Sequence, residues 1–188
     1  MKRYDTGMAK EITYLALLRG INVGGNNIIK MDALRACFEK MGYMNVRTYI
    51  ASGNVIFTAA AMPRLELEDK IEKVLRKEFN YKATVLVRSA KEMQETVAHF
   101  PTIFKDTEWK HNVIFLGEDI DSKTILKQCE LKEGIEETSY YKGVLFWSAK
   151  MATITRSNML KLSAKPEYQK MTVRSIGTTK KLAELMTS

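Results

Sequence analysis

The first clear pattern is an almost unbroken apolar run, Ile12 to Leu18, which predicts a central strand buried on both faces. A Gly- and Asn-rich loop, GINVGGNN, follows at 20–27. Asp32 is placed to cap a helix whose apolar stripe is Leu34, Cys37, Phe38 and Met41, with Gly42 as its stop. Val46–Ile50 and Val55–Thr58 read as strands joined by an Ala-Ser-Gly-Asn turn at 51–54. Pro63 opens a second helix that runs to Phe79 and turns Leu67, Ile71, Val74 and Leu75 inward. Ala83–Val87 is the last strand of this set. The order is β-α-β-β-α-β, a ferredoxin-like unit.

The same order then recurs. Ser89 and Glu92 form a capping box at the start of a connecting helix, and Pro101 lies beyond its end. Asn112–Leu116 is predicted as a strand, Ser122–Glu130 as a helix, and Glu136–Tyr141 with Val144–Ala149 as a hairpin across Lys142-Gly143. A helix near Ser157–Ser163, a strand at Met171–Arg174 and a helix from a Thr178 cap to Met186 complete the chain. The expected fold class is α+β, with two ferredoxin-like halves whose mostly antiparallel sheets carry packed helices. The expected organisation is a tail at 1–11, a first half at 12–88, and a unit at 89–188 holding the connecting helix, second half and final helix. ALRACFEKMG (33–42) aligns with ILKQCELKEG (125–134), which points to a duplication and puts Cys37 and Cys129 at one inward position.

Composition narrows the function. A chain of 188 residues, 45% hydrophobic, can bury a core without disulfide or metal staples. Two cysteines and two histidines without ligand-like spacing predict no metal site, and no cofactor motif is present. No apolar run is long enough to span a bilayer, and MKRYDTGMAK lacks the apolar core of a signal peptide, so a cytoplasmic location is expected. The net charge of +8 is uneven: +4 over residues 1–60, −3 over 89–150 and +5 over 151–188. The two basic ends are expected to form one surface that attracts phosphate.

Three segments carry candidate chemistry. LLRGINVGGNN (17–27) can wrap backbone amides around an anion, with Arg19, Gly20, Asn22, Gly24, Gly25, Asn26 and Lys30 as its candidate contacts. It matches neither G-x-G-x-x-G nor G-x-x-x-x-G-K-[ST], and a loop that simply needs positive φ would use the same residues. TYIASGNVIF (48–57) adds Ser52, Gly53 and Asn54, although no G-x-S-x-G or base supports Ser52 as a nucleophile. The late segment adds Arg174 and Lys180, the latter expected in the first turn of the final helix, where a nearby anion would offset its clash with the dipole. All three segments are expected to converge. Tyr14 and Phe57 could fill the base-stacking positions of an RNA-recognition sheet, but Ser52–Phe57 does not match the RNP1 pattern, and a sheet face used by the other half would be unavailable.

LLRGINVGGNN, the Met31-to-Leu34 helix start, TYIASGNVIF and the late MTVR segment together resemble a widespread bacterial family of unknown function, over nearly the whole chain. The resemblance implies a pair of α+β halves and no established activity. Arg19, Gly20, Asn22, Gly24, Gly25, Ser52, Gly53 and Asn54 match its motifs. Ser175, Ile176 and Gly177 stand where the family usually has Asn-Trp-Asn. The reading of function is a binding module for a phosphate-bearing small molecule or a nucleic acid. The alternatives are an enzyme acting on a small anionic substrate, or a partner-binding protein without chemistry; oligomeric state is not legible.

Overall fold

The computed structural model describes residues 10–24, 27–121, 124–128 and 130–188. The first half runs β1 (Glu11–Leu18), α1 (Met31–Lys40), β2 (Met44–Thr48), β3 (Asn54–Ala60), α2 (Arg64–Phe79) and β4 (Val85–Ser89), followed by α3 (Ala90–Ala98). The second runs β5 (Trp109–Leu116), α4 (Ile125–Gln128), β6 (Glu136–Tyr141), β7 (Val144–Lys150), α5 (Met159–Ser163) and β8 (Met171–Ser175), followed by α6 (Ile176–Leu185). The sheets are β2-β3-β1-β4 and β6-β7-β5-β8, antiparallel throughout and identical in order. This is the α+β architecture of two ferredoxin-like halves.

Side-chain alternation along β1 explains the layers. Tyr14, Ala16 and Leu18 face α1 and α2, packing with Leu34, Phe38, Leu67 and Ile71. Leu15 and Leu17 face the other way, with Ile56 and Leu86, onto Val113, Phe115, Val144 and Phe146 of the second sheet. The sheets are therefore stacked face to face. Met93 of α3 and Leu182 of α6 close that shared core. The outer face of the second sheet, Ile114, Leu116, Leu145 and Trp147, packs with Ile125 and Leu162. Residues 14–18 are buried on both faces, which is why that part of the run is continuously apolar, whereas the polar Thr13 falls where burial is only partial.

Both faces of the first sheet are thus taken. Tyr14 and Phe57 lie under the helices with ring centroids 5.8 Å apart, so neither is open to stack a base. The opposite face, which an RNA-recognition sheet leaves open, is covered by the second half.

Three helix boundaries differ from the sequence expectation. Lys30, not Asp32, is the N-cap of α1, because its extended backbone ends one residue before Met31 turns helical; Asp32 sits in the first turn. The α6 cap is Ser175, whose hydroxyl accepts the Thr178 N–H, so Thr178 is already helical. Of the helix expected at 122–130, the described residues show Ile125–Gln128 as helical, with Thr124 and Glu130 outside it. The Lys132 carbonyl accepts the Ile135 and Glu136 N–H groups, which turns the chain into β6. Ser122 and Cys129 lie outside the described residues, whereas Cys37 is buried against the α1 side of the core, its thiol pushed up by burial. The Ser89–Glu92 capping box is formed as expected.

The exposed edge of β4 is closed by α2. Glu68 accepts the Val87 N–H at 2.7 Å and Glu72 accepts the Val85 N–H at 2.8 Å, blocking a row of donors that would otherwise invite strand addition. Burial pushes the Glu68 carboxyl up to about 7, against its Val87 bond and the Arg88 and Arg64 charges. A carboxyl raised in the fold binds more protons folded than unfolded, so its stabilisation is full below about 4.5 and is lost as pH rises through about 7. Glu68→Gln keeps the acceptor without the charge. Its melting temperature should exceed the parent's at pH 8 and approach it at pH 4.5; parallel pH profiles would rule out this assignment.

Candidate functional site

Arg174 is the centre of the predicted constellation, and β8 carries it 7% exposed into the junction of the two halves. Nε donates to Asn54 Oδ1 at 2.6 Å, and Nη1 to Thr172 Oγ1 and the Val173 carbonyl. Nη2 donates to the carbonyls of Leu18, Ser52 and Gly53 at 2.9, 2.9 and 3.3 Å. Every guanidinium nitrogen is occupied by the protein itself. Burial pulls its pKa down to about 10, so it stays a cation at neutral pH.

The β2–β3 turn is built for that clasp. Asn54, fully buried, donates from Nδ2 to the Tyr49 carbonyl and to Ser52 Oγ, which leaves its Oδ1 for Arg174. Gly53 has φ +76°, and its carbonyl accepts the Leu18 N–H at 2.8 Å, holding the turn on the end of β1. The 19–30 loop is tied to the same turn. Asn22 (φ +52°) donates to the carbonyls of Ala51 and Ile29 and accepts the Ile29 N–H. Asn27 (φ +49°) donates to the Gly20 carbonyl.

Loop, turn and β8 therefore do meet. Arg19 is half-buried, donates from Nη1 to the Met171 carbonyl at 3.0 Å and lies 4.6 Å over the Tyr168 ring. Gly20, Gly24 and Lys30 are exposed. Lys180 is not drawn to this junction: it rests over the Phe100 ring beyond α3. With Ser175 as the cap, it also stands beyond the first turn of α6, which removes the dipole argument for an anion there. Gly25 and Asn26 lie outside the described residues.

The loops also present apolar tips to solvent, Val23, Ile28 and Ile50, with Ile28 77% exposed. Ile50 is in the left-handed region at φ +50°, a conformation a β-branched side chain rarely adopts.

The arginine clasp is reciprocal. Arg88 on β4 is the counterpart of Arg174 on β8, and donates from Nη2 to the carbonyls of Leu116 and Gly143, the end of β5 and the β6–β7 turn. Gly143 repeats φ +76°, and its carbonyl accepts the Leu116 N–H at 2.9 Å. Ser89 and Ser175 then cap the helices that follow. Each half thus holds the other's strand end and hairpin. A sequence signal for this exists in the Val-Arg-Ser triplet at 87–89 and 173–175, which the 33–42 alignment does not reach.

Between α2, α3 and the β6–β7 hairpin lies a polar cleft of about 330 Å³ that no motif announces. Arg64 pairs with Glu92 there, and Lys142 with Glu95 at 3.1 Å. Burial pushes Glu92 up, but the Ser89 bonds with the Arg64 and Arg88 charges outweigh it and hold the carboxyl low. Glu95 is likewise held low, chiefly by its bond to Lys142. Among the described residues, no group of three or more His, Cys, Asp or Glu is placed to hold a metal ion. No helix among them is long and apolar enough to cross a membrane.

Residues 12–146 match the family described as "Protein of unknown function (DUF1697)". The chain belongs to that family. Both Gly-rich segments lie inside the matched stretch, which ends in β7, so Arg174 lies beyond it while its acceptors at 18 and 52–54 lie within. The solved structure of the conserved bacterial protein SP0830 from Streptococcus pneumoniae is similar, with a TM-score of 0.83 and 24% identity over 94% of this chain and 99% of that one. Likeness at that identity establishes the fold. A comparison with curated proteins found no match.

Proposed function

We propose that this DUF1697 member is a cytoplasmic binding module for a phosphate-bearing ligand, held at the 19–30 loop and the 50–54 turn. The observation that carries the reading is a pre-shaped loop pair. Gly20, Asn22, Gly24 and Asn27 all have positive φ, Asn22 ties the loop to Ala51 and Ile29, Asn27 holds Gly20, and the Arg174 clasp holds the neighbouring turn, with the cations of Arg19 and Lys30 alongside. Left-handed residues interspersed in a turn can aim neighbouring backbone amides at one anion, although the Asn22 amide is already given to the Asn27 carbonyl, and order fixed before binding lowers the entropy cost of binding. Arg174, its donors spent, acts as a positioning residue. The exposed Val23, Ile28 and Ile50 give the ligand an apolar contact beside the phosphate, as a nucleoside or a nucleic-acid strand would use. The matching strand orders and reciprocal arginines support descent of the two halves from one duplicated unit.

The test is retention of single-stranded oligonucleotides and a thermal-shift screen of nucleotides and sugar phosphates, each repeated with Arg19→Ala/Lys30→Ala. The parent should bind, and the double variant should bind about tenfold more weakly or less, with a log–log salt slope shallower by roughly 2. Equal affinity and equal slope for parent and variant would remove these loops as the site.

A further inference from the structure

The two halves share a strand order but not a roof. The outer face of the first sheet is covered by helices of 10 and 16 residues, α1 and α2. Among the described residues, the α-helices on the same face of the second sheet are α4 and α5, of 4 and 5 residues. Beside them a cavity of about 320 Å³ opens between that face and the Met151–Arg156 turn. Its floor is two neighbouring cross-strand pairs, Lys110 opposite Ala149 and Asn112 opposite Trp147, and its wall includes Ile154 and Met159.

Trp147 is 1% exposed, yet its buried indole N–H meets no acceptor among the described residues. Buried donors in folded proteins are nearly always paired, and an unpaired one needs a specific explanation. Here the donor belongs to a side chain that lines an apolar cavity of ligand size. Lys110, exposed and lining the same cavity, adds a cation at its mouth.

We propose that this cavity is a binding site for a small, flat, largely apolar carboxylate that also carries a neutral oxygen acceptor. The apolar body fills the space between Trp147, Ala149, Ile154 and Met159. The neutral oxygen accepts the indole N–H, and the carboxylate stays at the mouth with Lys110. The site is separate from the loop pair at 19–30 and 50–54, and shares no residue with it.

The probes are 4-acetylbenzoate, which has both groups, 4-ethylbenzoate, which lacks the neutral acceptor, and 4′-methylacetophenone, which lacks the carboxylate. Binding is read from the two indole N–H resonances, assigned with Trp109→Phe, so that Trp109 serves as the internal reference. With 4-acetylbenzoate, the Trp147 resonance should move downfield and saturate while the Trp109 resonance stays still. 4-Ethylbenzoate should bind about tenfold more weakly, the loss expected for one hydrogen bond. Lys110→Gln, an exposed change that leaves the core intact, should weaken 4-acetylbenzoate several-fold and leave 4′-methylacetophenone unchanged. No movement of the Trp147 resonance up to the solubility limit of the probe overturns the site. Equal binding of all three probes, or indifference of 4-acetylbenzoate to Lys110→Gln, overturns the assigned ligand class.

Discussion

Replacing Arg174 with methionine is expected to lower the unfolding free energy by about 3 kcal/mol, the scale of leaving buried acceptors without a charged donor. The apolar stem survives in methionine, so packing is nearly retained and the loss isolates the guanidinium. What remains are the carbonyls of Leu18, Ser52 and Gly53 and the Asn54 Oδ1, which lose their Arg174 donor in the junction between the halves. Lysine should not rescue: an ammonium is a point donor and cannot span acceptors from two strands and a turn in one plane. Urea unfolding should show a lower midpoint at unchanged slope for both variants. A variant within about 1 kcal/mol of the parent would mean that the clasp exchanges evenly with water.

That result bears directly on how the sequence was legible. The Ile12–Leu18 run identified β1 because a strand between two cores is apolar wherever both faces are buried, here at 14–18. The Ser89–Glu92 box was equally local, since both partners of the cap lie within one turn. Arg174 was legible as a member of the site but not in its role. A single sequence records a positive charge, not whether it meets a ligand or six acceptors of its own chain, four of them more than a hundred residues away.

The failures share a physical origin. Ser175 and Thr178 are both good caps, and the choice between them is made by where β8 ends against β5, at the Asn112–Ser175 pair. Moving the start of the helix by three residues shifts Lys180 from its first turn toward its second. The charge argument built on it then has no dipole to act on. The cavity over Trp147 depends on how the Met151–Arg156 turn sits against the second sheet, a tertiary outcome that periodicity does not report. The loop glycines were the opposite case, because positive φ is a local demand: Gly20, Gly24 and Gly53 all have it.

Among those glycines, space decides which substitution is costly. Gly53→Ala should cost about 3 kcal/mol, from the left-handed backbone together with overpacking of a closed site. A methyl group there would lie 2.8 Å from Leu18 Cβ and 2.9 Å from Ile21 Cγ1 and Cδ1. Both neighbours are essentially unexposed, so neither has room to yield. Gly20→Ala, at φ +68° with nothing within 4 Å, should cost only about 1 kcal/mol of backbone strain. Gly143→Ala, at the same φ as Gly53, would meet the Asp121 carboxylate, which is bonded to Tyr140, at 3.0 Å and the Arg88 guanidinium at 3.3 Å; these are side-chain ends at longer distances than at Gly53, so the cost should fall between the other two. The predicted order of melting temperatures is therefore Gly20→Ala highest, then Gly143→Ala, then Gly53→Ala. Equal losses at 20 and 53 would show that backbone conformation alone sets the penalty. Loss at 53 should also travel, because its carbonyl accepts both the Leu18 N–H and Arg174. Amide exchange in Gly53→Ala should then accelerate at Leu18 before it does so at Leu116, whose own glycine turn is untouched.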